Sequence, residues 1–341
     1  MWGQSDCHLL HIYEYSILFF LVQPGKLTIS NIKNFLAPAI VGIAILIILE
    51  IVAGLILSHI YNRKFDSALI EENKYGPSSG LKANAYGIVW DKPFHTDEMG
   101  GRKHRRAKAG KPKMLIIGDS VTEGVGVGDS SVFANIINDR LDSFDVRNIS
   151  LIGWSVGDYD NAINKLVEKD TAIRTIALCY CLNDIYGQTA LKNMPSIARK
   201  GFIGRINGFL QDRYATYKLI KLLIYQNSDR YYQYDRSLYT DQDKVQAAAL
   251  VLAHIRDICS AHKIAFTIFI LPYRSQLQNR DELPQTALIA ECRKNQINYS
   301  DLLHALVNDG KPKELYLFAD EIHLSALGHR RLAAAISAYY Q

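Results

Sequence analysis

An α/β sandwich, with a mostly five-stranded parallel sheet covered by helices on both faces, is the fold the sequence predicts, preceded by one N-terminal transmembrane helix. Two observations predict it: a long apolar run near the N-terminus, and a regular alternation of short apolar runs with amphipathic stretches beyond Lys113. The chain has 341 residues, 48% hydrophobic and 21% charged, enough for one large domain or two ordinary ones. A disordered tail is excluded. A net charge of +5 is mild for this length and does not suggest a dedicated nucleic-acid binder.

Residues 1–34 read as an N-terminal arm resembling neither a signal peptide nor a domain. The apolar patch Tyr15 to Val22 is too short to span a bilayer and ends at Pro24-Gly25, which suits an interfacial or poorly ordered lead-in. Residues 35–60 read as the transmembrane anchor. From Ala39 to Leu57 the run is apolar except for Glu50, and at a rise of ~1.5 Å per residue it covers about 28 Å, close to the hydrocarbon thickness of a membrane. No small-x-small cleavage pattern with a polar exit follows, so a retained single-pass anchor is favoured over a cleaved signal. Lys26 and Lys33 flank one end and Arg63, Lys64 and Lys74 the other, so charge leaves the orientation nearly tied. Glu50 lies near the middle of the span, where an ionised carboxylate is costly. It is either protonated or facing a polar partner: a functional candidate on one reading, a tolerated or oligomer-facing acid on the other.

Residues 61–111 carry Gly and Pro punctuation (Pro77, Gly80, Pro93, Gly100, Gly101) and read as a linker containing a basic run. Seven of the twelve residues from Arg102 to Lys113 are Lys or Arg. Without interleaved aromatic residues to stack on bases, the run is expected to be a solvated linker, with no nucleic acid as partner.

From residue 112 to 341 a single domain is expected. Met114 to Ile117 is the first strand and Val132 to Leu141 a helix. Val146 to Leu151 is the second strand, with a helix from about Asp158 to Lys169. Arg174 to Leu182 is a third, largely apolar strand buried on both faces. Thr240-Asp-Gln-Asp resembles a cap opening a long helix to about His262. Ile264 to Leu271 is a fourth strand ended by Pro272. Ala287 to Lys294 is a helix, the stretch around Tyr299 a fifth strand, and Ser325 caps a final helix to about Tyr339. Residues 188–239 interrupt the alternation. Their tyrosines (Tyr214, Tyr217, Tyr225, Tyr231, Tyr232, Tyr234) mark a helical insertion that either packs onto the domain or forms a lid over a site.

Ligands of such a sheet bind at the carboxyl ends of its strands. There the first strand carries Gly118-Asp119-Ser120-Val121-Thr122-Glu123-Gly124, a serine exposed in the crevice before a helix whose N–H groups point at it. Gly153 follows the second strand and lets backbone approach a ligand. Asn183 ends the third strand with a side-chain amide. Asp320-Glu321-Ile322-His323 sets a carboxylate and an imidazole three apart before the last helix. Together they supply a nucleophile, a base with its orienting acid, and oxyanion donors.

In these four blocks, over about residues 112 to 341, the chain resembles the SGNH, or GDSL-type, hydrolase superfamily. The resemblance implies a flavodoxin-like three-layer α/β/α sandwich. It implies Ser120 as nucleophile, His323 as general base and Asp320 as its orienting acid. The Ser120 and Gly153 N–H groups and the Asn183 amide would form the oxyanion hole. Cys181 stands two before Asn183 where the family commonly has glycine. The activity implied is a membrane-anchored serine esterase or deacylase, needing no metal or cofactor and acting on an acyl ester of carbohydrate or lipid. An O-acyltransferase would use the same residues, and resemblance to exported members implies a domain outside the cytoplasm. A non-catalytic polysaccharide- or partner-binding module is the reading that intact Ser120, Asp320 and His323 speak against. Gly124-Val-Gly-Val-Gly128 has neither the spacing nor the following Lys of a nucleotide loop. Glu123, Asp119 and Asp184 are expected to support loop structure, and His329 to be a surface or packing residue. The five cysteines contain no C-x-x-C pair and read as buried hydrophobes.

Overall fold

The computed structural model describes residues 29–61, 64–104, 106–186, 202–225, 229–307, 311–318 and 320–341. The expectations for residues 1–28, and for 188–201 of the insertion, lie outside the described residues. Helix α1 (Ile29–Tyr61) holds the apolar run. Its Leu36–Ser58 stretch, 23 residues with mean hydropathy 3.0, is long and apolar enough to cross a membrane. Ile43, Leu46 and Ile47 are more than half exposed, whereas Ala53 and Leu57 are buried.

The linker expected over 61–111 is corrected. Residues 70–95 form two antiparallel hairpins, β1 (Ile70–Tyr75) with β2 (Ser78–Leu81) and β3 (Tyr86–Val89) with β4 (Lys92–His95). The glycines and prolines read as linker punctuation mark hairpins and their approaches; Gly76 takes φ 77 between β1 and β2. The sparse apolar residues of this stretch, Leu69, Tyr75, Leu81, Val89 and Phe94, enter the same core as the main sheet. The basic run is not simply solvated either. Arg102 is 1% exposed, its guanidinium donating to the carbonyls of Glu123, Gly124 and Val127 and to Asp129. Lys108 donates to the carbonyl of Leu141 at 2.8 Å.

The sheet strands and their connections follow in the expected order: β5 (Lys113–Gly118), α2 (Ser120–Glu123), α3 (Phe133–Arg140), β6 (Asp145–Ser150), α4 (Val156–Lys169) and β7 (Ile173–Tyr180). The insertion contributes α5 (Phe202–Arg213), α6 (Ala215–Tyr225) and α7 (Asp229–Leu238). Then come α8 (Gln242–Ala261), β8 (Ala265–Ile270), α9 (Arg274–Asn279), α10 (Leu283–Lys294), β9 (Tyr299–Asp301), α11 (Leu303–Val307), α12 (Pro312–Leu315) and α13 (Ala326–Tyr340). The five strands are all parallel, ordered β6-β5-β7-β8-β9. Helix α8 packs against α4 and α10, and α3 packs against α13. Two helical starts differ by a residue or two from expectation, about Asp158 for the one and a cap at Thr240 for the other, because neighbouring residues do the capping. Helix α4 begins at Val156, where Ser155 and Asp158 form a capping box, and α8 is capped by Asp241.

Strand β6 is an edge strand yet wholly buried. The segment after the hairpins covers it: Arg102 N donates to Asn148 O at 2.9 Å, and Arg147 on β6 reaches Asp97 at 3.0 Å and Asp145 at 2.8 Å. Covering the edge removes an otherwise unpaired row of backbone groups. On the other side of β5, α7 packs on the turn Leu182–Ile185. Tyr234 stacks on Tyr186 with centroids 5.8 Å apart. The buried Asp235 accepts the hydroxyls of Tyr186 and Tyr273 at 2.5 and 2.6 Å. These insertion residues therefore pack onto the domain, while Tyr214 and Tyr231 are exposed.

Candidate active site

Strand order explains why distant residues meet. Strand β5 lies between β6 and β7, so Gly118 at its carboxyl end pairs with Ser150 on one side and Cys179 on the other. The connection after β6 leads to Gly153 and the one after β7 to Asn183, so both flank the turn that carries Ser120. This reversal of winding beside the first strand is where open α/β sheets form their ligand crevice.

The turn itself has strict steric demands. A Cβ on Gly118 would stand 2.1 Å from Thr122 Oγ1 and 2.8 Å from the carbonyl of Cys179, so only glycine fits there. Asp119 caps α2, its carboxylate accepting Val121 N at 2.9 Å. Ser120 is the first residue of that helix, where the backbone N–H has no intrahelical acceptor and is available to an anionic oxygen. Gly124 ends the turn at φ 77.

Ser120 Oγ lies 3.0 Å from His323 Nε2. On the other side of the ring, Nδ1 lies 3.0 and 3.1 Å from the two oxygens of Asp320. The Asp320 carboxylate also accepts the backbone N–H groups of Ile322 and His323, each at 3.0 Å. Burial alone would raise the Asp320 carboxyl. The His323 ring and these N–H groups outweigh burial and hold it well below the usual carboxylate range. An ionised carboxylate can only accept, so Nδ1 carries the ring proton and Nε2 is left to take the hydroxyl proton of Ser120.

The expected oxyanion donors are placed less completely. Asn183 Nδ2 and Ser120 Oγ both stand 3.4 Å from the same Asp119 oxygen, which puts the amide beside the hydroxyl. Gly153 takes φ 83 with open space where a side chain would lie. Cys181 is buried, and its N–H donates to Asp184 at 2.7 Å within the Asn183 turn.

No protein-family model matches this chain, and no curated protein matches it. Among solved structures it is similar to a lipolytic protein of the G-D-S-L family from Veillonella parvula DSM 2008, at 15% identity over 67% of this chain and 98% of that one, TM-score 0.42. It is also similar to a catalytic mutant of an acetylxylan esterase from Geobacillus stearothermophilus, at 14% identity over 67% and 94%, TM-score 0.41. A psychrotrophic esterase from Pseudoalteromonas is similar at 12% identity over 67% and 98%, TM-score 0.41.

The acids expected to support loops lie in such positions. Glu123 is fully buried and accepts Ile152 N at 2.6 Å, joining the Ser120 turn to the Gly153 loop. Burial, offset in part by the Arg102 charge and the Ile152 N–H, pushes its carboxyl up to about 8. Asp184 is fully buried, and burial raises its carboxyl. His329 packs in the core: its Nδ1 accepts Phe133 N at 3.3 Å, and burial lowers it to about 3.

Four neighbours of the site escape sequence reasoning. Trp90 meets the His323 ring edge-on, with centroids 4.5 Å apart. It sits with Asp91 in the two-residue turn between β3 and β4, at φ 50 and 60. Such turns usually take Asn or Gly, so an indole there is strained. Glu321 and Arg274 form a buried ion pair at 3.1 Å that ties the Asp320–His323 loop to α9. Arg102 holds the carbonyls at the end of the Ser120 turn. A Trp in a stretch read as linker gave no signal. A buried Glu inside Asp-Glu-Ile-His could have been suspected, because its neighbours on both sides carry the chemistry.

Proposed function

We propose that the chain is a membrane-anchored serine esterase or deacylase of SGNH type, cleaving an O-acyl ester through an acyl-serine intermediate. The observation that carries the reading is the relay from Ser120 Oγ through His323 to Asp320, with contacts of 3.0 Å at each step. His323 takes the Ser120 proton as Oγ attacks the ester carbonyl. The Ser120 and Gly153 N–H groups and the Asn183 amide receive the oxyanion, and Asp320 stabilises the imidazolium. The alkoxide leaves with the proton from His323. Water then gives its proton to His323, attacks the acyl-serine and releases the acid, restoring the Ser120 hydroxyl.

The anchor is supported by the Leu36–Ser58 run, whose side chains largely face outward rather than into a core. The domain organisation we propose keeps 112–341 as the hydrolase domain, with hairpins 70–95 added to its surface and 188–239 as its insertion. The full chain in detergent is expected to hydrolyse a short-chain aryl ester, and Ser120→Ala to abolish turnover. Equal rates in the two proteins would refute the nucleophile.

A further inference from the structure

Glu50, the single acid in the apolar run, has a definite partner. It lies eight residues before Ser58, about 12 Å along the helix from the end of the span. Its carboxylate accepts the backbone N–H of Ala215, and that of Thr216 at 3.0 Å. These are the first two N–H groups of α6, donors without an intrahelical acceptor and the positive end of the helix dipole. On the same stripe of α1, Ala53 and Leu57 are buried. A Cβ on Gly54 would lie 3.9 Å from that of Ala215. Leu222 is buried on α6, and α1 and α6 pack together. The stripe Glu50, Ala53, Gly54, Leu57 is therefore a helix–helix seam.

The outward surface of α5 and α6 carries exposed large apolar side chains, with the charged residues Arg205, Asp212 and Arg213 exposed on α5. Ile206, Phe209, Ile220, Leu223 and Ile224 are between 44% and 67% exposed. Between the two helices the Tyr217 hydroxyl and the Lys221 ammonium both donate to Asn207 Oδ1 at 2.9 Å. Long basic side chains can reach a headgroup layer with their stems along apolar surface. On α1, against which α6 packs, Val52, Leu55 and Ile56 are likewise exposed.

We propose that α5 and α6 form a second membrane-embedded element, docked on the anchor by Glu50 and presenting their outer apolar side chains to lipid acyl chains. This rests on the membrane-anchor reading. Within a bilayer an unpaired N–H has no water to turn to, so the Glu50 carboxylate and the α6 N-terminus each supply what the other lacks. Helix α7, which packs on the Asn183 turn, continues the same insertion. The crevice is thereby held beside the bilayer, where an ester borne by a lipid or lipid-linked acceptor would be presented.

The test uses the full chain with Cys7→Ser, since Cys179, Cys181, Cys259 and Cys292 are buried. Single cysteines at Leu223→Cys and, as a reference within α1, Ile45→Cys carry an environment-sensitive fluorophore. The protein is reconstituted in phosphatidylethanolamine–phosphatidylglycerol vesicles. Acyl-chain nitroxides should quench both labels to a similar fractional extent, and aqueous iodide neither. Quenching of position 223 by iodide, with 45 still quenched by lipid, would overturn the inference and leave the anchor standing; iodide quenching at both would sink the anchor and the inference with it. Glu50→Leu should transfer the 223 label from lipid to iodide quenching while 45 is unchanged. Glu50→Gln, which retains one acceptor oxygen, should keep most of the lipid quenching. If Glu50→Leu leaves 223 unmoved, Glu50 is not the clamp.

Discussion

Glu123→Gln should flatten the dependence of stability on pH. Glu123 has no exposed surface, and its carboxyl is pushed from an ordinary 4.5 up to about 8 by burial. As pH rises past 4.5 the unfolded chain releases this proton while the folded chain keeps it, so the unfolded state binds fewer protons and stability falls. The fall ends once the folded form also titrates, near 8. A difference of about 3.5 pH units at ~1.4 kcal/mol each is worth roughly 5 kcal/mol. Glutamine has the shape of the neutral acid, can still accept the Ile152 N–H, and has no proton to lose. Denaturant unfolding at pH 5 and pH 8 would measure it. The wild-type chain should lose more stability than the variant between those values, by a few kcal/mol. Parallel losses in the two proteins would mean that Glu123 is already ionised in the folded state, and the account of the Ser120 turn would need revision.

Asp320→Asn should lower kcat by roughly four orders of magnitude with little change in KM, because the ring would lose its orienting anion without losing substrate contacts; steady-state kinetics on an aryl ester measure it. Trp90→Ala removes the edge contact on His323 and should reduce kcat/KM up to about tenfold, within the range of a single aromatic pair. Unchanged kinetics would show that the hairpin only covers the sheet. Arg102→Met removes the donor from the buried carbonyls of Glu123 and Val127 and one of two donors from that of Gly124, and should cost about 3 kcal/mol of unfolding free energy, read as a lowered denaturation midpoint. A reporter fused after Gln341 should be active on the outer side of the membrane, and cytoplasmic activity would reverse the proposed topology.

The sheet was legible chiefly because β5, β7 and β8 are apolar runs closed by turn signals. Met114 to Ile117 before Gly118, and Ile264 to Leu271 before Pro272, leave little freedom of assignment. Ser120, Asn183, Asp320 and His323 were legible because Ser120 opens α2, Asn183 lies in the turn after β7, and Asp320 and His323 lie in the loop before α13, places where such a sheet displays chemistry. The hairpins were not, since Tyr75, Leu81, Val89 and Phe94 are too sparse to show a period and stand among residues typical of linkers. Arg102 read as solvated charge because nothing local reveals a cradle of carbonyls contributed from residues 123–129. Glu50 lacked a visible partner because its partners are backbone N–H groups 165 and 166 residues away. Side-chain pairing can be guessed from spacing; pairing to a distant helix end cannot.

The most direct test of the central claim is an intact-mass and peptide map of the full chain after brief reaction with a slowly turned-over ester. The account predicts one acyl group, on the peptide containing Ser120, absent in Ser120→Ala and formed far more slowly in His323→Ala. Product formation without any adduct on Ser120, or equal labelling in Ser120→Ala, would contradict it.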